Sequence, residues 1–106
     1  MRERLTIEQK ELKDLCILVK KFLKNEEYDK VREMICAAMG RYPDAPQPHN
    51  LFGVLMEETG DHVLAMKHFR AAWDLDPTYQ PARVNLSRCG STIAENAIAY
   101  DENDCV

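Results

Sequence analysis

Three histidines, four cysteines and a short acidic group are the residues of this 106-residue chain with chemistry of their own. A metal site needs two or more histidines on one helical face, with a carboxylate or thiolate beside them. His62 and His68 stand roughly 240° apart around a helix of about 3.6 residues per turn, so they share no face. His49, His62 and His68 are therefore expected on the surface or in packing between helices. Cys16, Cys36, Cys89 and Cys105 form no CxxC pair. A nucleophilic thiol needs a base within reach and a lowered pKa, and nothing nearby in the sequence supplies either. The first three sit among apolar neighbours and are expected as reduced core or near-core residues, because a free cysteine behaves as a small hydrophobe. Cys105 lies in a polar tail and is expected to be exposed. Glu57, Glu58 and Asp61 could exchange protons, but a solvated turn accounts for them. Phe69, Trp73 and Tyr79 could form an aromatic platform. Phe69 is expected in the core. Trp73, four residues on, lies near the same side and is expected to pack, with an exposed anchor as the alternative. There is no HExxH motif and no phosphate-binding glycine loop. The chain is expected to be no enzyme, with no metal and no cofactor.

Composition narrows the partners. The formal net charge is -4. Binding to a phosphate backbone rests on lysines and arginines that displace counterions, so nucleic acid is not the expected partner. No apolar run approaches the roughly 18 residues of a membrane span, and the first residues do not read as a signal peptide. A cytoplasmic protein of one domain, residues 1–106, is expected.

The elements that must carry these residues are helices. Leu5 to Lys24 opens with Thr6 and Gln9, a capping box of the Thr-x-x-Gln form. Leu12, Leu15, Leu18, Val19, Phe22 and Leu23 follow at helical spacing. Asn25-Glu26-Glu27 breaks the pattern. A second run goes from Tyr28 to about Arg41 and stops before Pro43, which cannot continue a helix. The third spans about Gln47 to Glu58, with Pro48 in its first turn. Gly53 sits in its middle, where glycine costs about 0.8–1 kcal/mol against alanine; close approach of a second helix is the expected reason. Thr59-Gly60-Asp61 is a turn, and His62 to Leu75 the fourth run, ended by Asp76-Pro77. A fifth runs from near Tyr79 to at least Cys89. After Gly90 the chain either bends within one helix or starts a sixth over Ile93 to Tyr100, capped by Ser91 or Thr92, with Thr92-x-x-Glu95 as a capping box. Asp101 to Val106 is acidic and expected to fray. The expected class is all-α, with five to six helices.

An offset of 34 residues organises these runs. It sets Pro43 on Pro77, Leu18 on Phe52, Phe22 on Met56, Val31 on Ala65, Ile35 on Phe69 and Ala38 on Ala72, and then Phe52 on Leu86. In spacing and residue pattern the chain resembles the tetratricopeptide repeat family, whose unit is 34 residues long. The central unit carries the resemblance through Phe52, Gly53, Met56, Ala65, Phe69, Ala72 and Pro77, with His49 at the usual tryptophan. The unit before it has Val19 where glycine is expected. The one after it keeps mainly Leu86 and departs at Arg83, Ser87 and Gly90. The resemblance implies a right-handed superhelical stack of antiparallel helix pairs. Repeat 1 would cover about residues 12–45, repeat 2 about 46–79, and a capping helix or partial repeat about 80–100.

The resemblance also implies a binding surface. In that family the first helix of each unit lines a concave groove. The corresponding positions here are Lys13, Cys16, Ile17, Lys20, Leu23 and Lys24; then Gln47, Asn50, Leu51, Val54, Glu57 and Glu58; then Pro81, Val84, Asn85, Arg88, Ser91 and Thr92. Lys13, Lys20, Asn50, Val54, Glu57, Asn85 and Arg88 are the expected partner-binding residues. Asn50 and Asn85 can donate to and accept from a peptide main chain, and the cations can pair with acids. The chaperone-tail clamp of the family would place its carboxylate-holding residues at Cys16, Lys20, Leu51, Pro81 and Asn85. None of these keeps the expected residue, so that specialised mode is not expected. The implied function is a protein-interaction adaptor or scaffold that binds a peptide or partner protein. Self-association into a homo-oligomer, without a separate ligand, is the alternative.

Overall fold

A computed structural model describes residues 5–89 and 98–105. Five α-helices follow one another: α1 (Ile7–Lys24), α2 (Tyr28–Arg41), α3 (Pro46–Glu58), α4 (His62–Leu75) and α5 (Gln80–Cys89). A short 3-10 turn spans Glu102–Cys105, and there is no strand among the described residues. The expected capping box opens α1: Thr6 Oγ1 accepts from the Gln9 amide at 3.1 Å, and Gln9 Oε1 accepts from the Thr6 amide at 2.9 Å. Proline starts α3, where its missing amide proton leaves no helical bond unmade. Asp61 caps α4 by accepting from the Leu64 amide at 3.0 Å.

The helix boundaries repeat at the sequence offset. α1 ends at Lys24 and α3 at Glu58; α2 and α4 start at Tyr28 and His62 and end at Arg41 and Leu75; α3 and α5 start at Pro46 and Gln80. The turns repeat bond for bond. Glu27 N donates to Phe22 O at 3.0 Å, and Asp61 N to Met56 O at 2.8 Å. Glu26 N donates to Leu23 O, and Gly60 N to Glu57 O. This is the paired-bond pattern that ends a helix through a left-handed residue, and that residue is Glu26 at φ 58° in one turn and Gly60 at φ 93° in the other. Between pairs, Ala45 N donates to Tyr42 O and Tyr79 N to Asp76 O. Two hairpins are thus built to one backbone plan, and α5 begins a third.

The core runs along the stack. Val19, Val31, Ile35, Leu51, Val54, Ala65 and Phe69 are fully buried. Within the central pair, Gly53 faces Phe69 so closely that a Cβ at residue 53 would fall about 2.5 Å from the ring. The reason expected for a mid-helix glycine is met. α1 packs on α3 and α3 on α5, whereas α2 and α4 do not meet among the described residues. The odd-numbered helices therefore form one continuous layer.

Three expectations are corrected. Cys36 is exposed and is no core residue, while Cys16 is buried. Leu18 is 40% exposed at the outer end of the stack, where no further helix covers it among the described residues. Most of the proposed sixth helix, residues 93–97, lies outside the described residues, but Ile98 to Tyr100 are not helical. No helix among the described residues is long and apolar enough to cross a membrane.

Candidate functional site: the α1–α3–α5 face

Two asparagines mark the site. Asn50 on α3 and Asn85 on α5 are fully buried, and they are the only buried polar or charged side chains among the described residues. A buried amide costs free energy unless its donors and acceptors are met. Here they are met by the chain's own C-terminal segment. Asn85 Nδ2 donates to the Ala99 carbonyl at 2.7 Å, and Asn85 Oδ1 accepts from the Ala99 amide at 2.7 Å. Asn50 Nδ2 donates to the same carbonyl at 3.0 Å, and Asn50 Oδ1 accepts from Asn85 Nδ2 at 2.9 Å. Asn85 thus reads both polar groups of one peptide residue, as a neighbouring β-strand would, and Asn50 braces it. A flipped Asn85 amide would set oxygen against oxygen and nitrogen against nitrogen, so the network fixes its orientation.

The segment continues toward α1. Ala99 is fully buried, and Ile98 and Tyr100 pack on the core. Lys20 Nζ stands 5.4 Å from the Tyr100 ring centroid and 3.0 Å from Asp104 Oδ1. The Tyr100 amide donates to the other Asp104 oxygen at 3.1 Å. Burial by itself would raise the Asp104 pKa; the Lys20 ammonium and the two backbone amides outweigh it and hold the carboxyl below its usual range. The expectation of a frayed tail is therefore corrected. Asp104 is anchored, because the Lys20 ammonium and the Tyr100 amide lie where its carboxylate falls.

Beside this segment lies a cavity of about 330 Å³ whose lining includes Lys13, Cys16, Gln47, Tyr79, Asp101 and Glu102. Burial, helped by the Asp101 charge, pushes the Cys16 thiol up to about 12. A thiol so protonated is a poor nucleophile. Burial also raises Tyr79. Among the described residues the buried Gln47 Oε1 and Tyr79 Oη find no hydrogen-bond partner. The weakly bonding Cys16 thiol and the Asp101 and Glu102 carboxylates stand near the Tyr79 hydroxyl.

The expected binding residues fall into groups. Lys20, Asn50 and Asn85 converge on the segment Ile98–Asp104, and Lys13 shares the cavity beside it. Val54 is fully buried in the core and packs there. Glu57 pairs with His62 Nδ1 at 3.0 Å, at the turn between α3 and α4. Arg88 is half-buried near the end of α5. Ser91 and Thr92 lie outside the described residues. Gln47, named in the sequence as a groove position, lines the cavity; sequence reasoning missed Tyr100 and Asp104 as the segment's anchors. An aromatic followed by acids, in a chain with lysines on one helix, was the available signal.

The histidines pack. His49 and His68 stack across α3 and α4 with centroids 5.7 Å apart and Nδ1 atoms 3.4 Å apart, and Phe52 lies 4.4 Å from the His68 ring. No group of three or more metal-binding side chains is gathered among the described residues. Trp73 is 38% exposed, beside a shallow recess formed with Met66, Arg70 and Leu86.

Comparison with protein-family models, with curated proteins and with solved structures gave no match to this chain.

Proposed function

We propose that the chain is a short tetratricopeptide-type array, wound as a right-handed stack, that works as a protein-interaction module and takes an extended peptide on its α1–α3–α5 face. The 34-residue repetition of helix ends and turn bonds supports the array. One observation carries the function: a polypeptide segment already lies on that face, and two buried asparagines hold its main chain at Ala99. Main-chain recognition of this kind accepts an extended chain and leaves specificity to the flanking side chains. Stacked helices hold Asn50, Asn85 and Lys20 in place beforehand, which lowers the ordering cost of binding. An adaptor or scaffold follows from this chemistry.

A displayed peptide library, panned on the wild-type chain and on an Ala99→Pro chain, tests the reading. Peptides recovered from either should perturb the amide-resonance shifts of Lys20, Asn50 and Asn85. They should bind the Asn50→Ala, Asn85→Ala chain roughly tenfold or more weakly, as expected for lost buried hydrogen bonds. Recovery of no peptide, or perturbations confined to other faces, would end the proposal.

Self-association is the second reading, favoured by exposed apolar surface at the two ends of the stack. Leu18, 40% exposed, lines a cleft of about 390 Å³ with Met34 at one end, and Trp73 and Leu75 are partly exposed near the other. A stack covers such ends with another unit. Sedimentation showing a monomer at high micromolar concentration would sink this reading.

A further inference from the structure

Resting on the reading just given, we propose that the partner segment is acidic, with a small residue held through its main chain, then an aromatic, then carboxylates in a tight turn like that of Glu102–Cys105, and that residues 98–104 are a built-in copy of it that occupies the face in the free chain. Each feature of the ligand is read from what the copy meets. The asparagine pair requires an unsubstituted main-chain amide and carbonyl at the Ala99 position. That residue is fully buried, so a large side chain has no room. The next side chain lies under the Lys20 ammonium, which favours an aromatic face. Lys20 then takes a carboxylate four residues further on, and Lys13 lines a cavity with Asp101 and Glu102. One cation of α1 thus pairs with an acid of the segment, and a second lines the same cavity as two more.

The copy is an incomplete ligand. Gln47 Oε1 and Tyr79 Oη, buried beneath the segment, stay without a hydrogen-bond partner among the described residues. Glu102 and Asp101, as carboxylates, bring no donor to the Gln47 oxygen. A partner whose side chain enters the cavity with a donor and an acceptor would meet both groups and displace the copy. The copy itself acts at an effective concentration of roughly millimolar, as a tethered ligand does. A free peptide therefore competes poorly until the tether is weakened or the peptide fits better.

The test uses the full-length chain and a fluorescent peptide of residues 98–104. Ala99→Pro removes the amide that Asn85 receives, and Asp104→Lys removes the Lys20 pair; each weakens the copy without touching the helices, and circular dichroism checks that the chain folds. The peptide is expected to bind both variants at least tenfold more tightly than it binds the wild type. Peptide carrying Asp104→Lys is expected to lose binding to the Ala99→Pro chain and to regain it when that chain also carries Lys20→Glu. Equal binding by wild type and variants, or charge reversal without effect, overturns the proposal. So does sedimentation showing that variants and wild type exchange segments in a dimer, which would make a second copy of the chain the occupant. If the panned library yields peptides on this face that lack the aromatic and the acids, the interaction reading stands and this one fails. If it yields none, both fail.

Discussion

The Phe69 ring fills the space that any side chain at residue 53 would need. Gly53→Ala gains helix propensity of up to about 1 kcal/mol but must displace the ring in a close-packed core, at a cost of about 1–3 kcal/mol. The clash wins, and thermal unfolding should drop by several degrees. Gly40→Ala, with nothing within 4 Å of its Cβ, should change the midpoint little or raise it. The turns inside the two hairpins, α1–α2 and α3–α4, make a second contrast. Glu26 holds a left-handed backbone at φ 58°, where its counterpart in the next unit is Gly60. A side chain there costs on the order of 1 kcal/mol. Glu26→Gly should therefore stabilise the chain by up to about 1 kcal/mol, and Gly60→Ala should destabilise it by a similar amount. Urea unfolding of the two variants reads both signs.

Where α3 meets α4, the His49–His68 stack couples stability to pH. Burial lowers both pKa values from the ordinary 6.5, and the charge of His49 lowers His68 further. The folded state therefore holds fewer protons than the unfolded state as pH falls. The stabilisation is complete above about 6.5 and is lost as pH falls below that value through the folded-state pKa values. Between pH 7 and 5 the wild-type melting temperature should fall more steeply than that of a His49→Gln, His68→Gln chain. The C-terminal segment has its own readout. Cys16 lies beneath it, 1% exposed, with its thiol pushed up to about 12 by burial and the Asp101 charge. In a chain with Cys36, Cys89 and Cys105 changed to serine, a thiol reagent should leave Cys16 unreacted under native conditions. Adding Ala99→Pro should speed its labelling by tenfold or more, without a matching loss of helix signal. Equal rates would show that the segment does not guard this thiol.

Across the whole molecule, much was legible from the chain alone, because hydrophobic spacing, caps and breakers act locally. Thr6 and Gln9 placed the first helix start, Pro43 and Pro77 bounded the second and fourth helices, and Gly53 pointed to a close helix contact. The 34-residue offset then paired Ile35 with Phe69 and Val31 with Ala65, and all four are buried. What escaped was long-range. Cys36 looks apolar in its own run, yet it falls on a side of α2 that is exposed among the described residues. Asn50 and Asn85 could be placed on one face by the repeat, but not as partners of Ala99, which is 49 and 14 residues away from them in sequence. Asp101 to Cys105 reads as a solvated acidic end on composition. Only the tertiary structure sets Asp104 against Lys20 and Ala99 against the asparagines. Periodicity determines which residues form helices and which faces those helices bury, since both depend on neighbours three and four residues away. The tertiary structure alone decides what lies on the remaining polar face, because a main chain held by side-chain amides leaves no periodic mark in either partner.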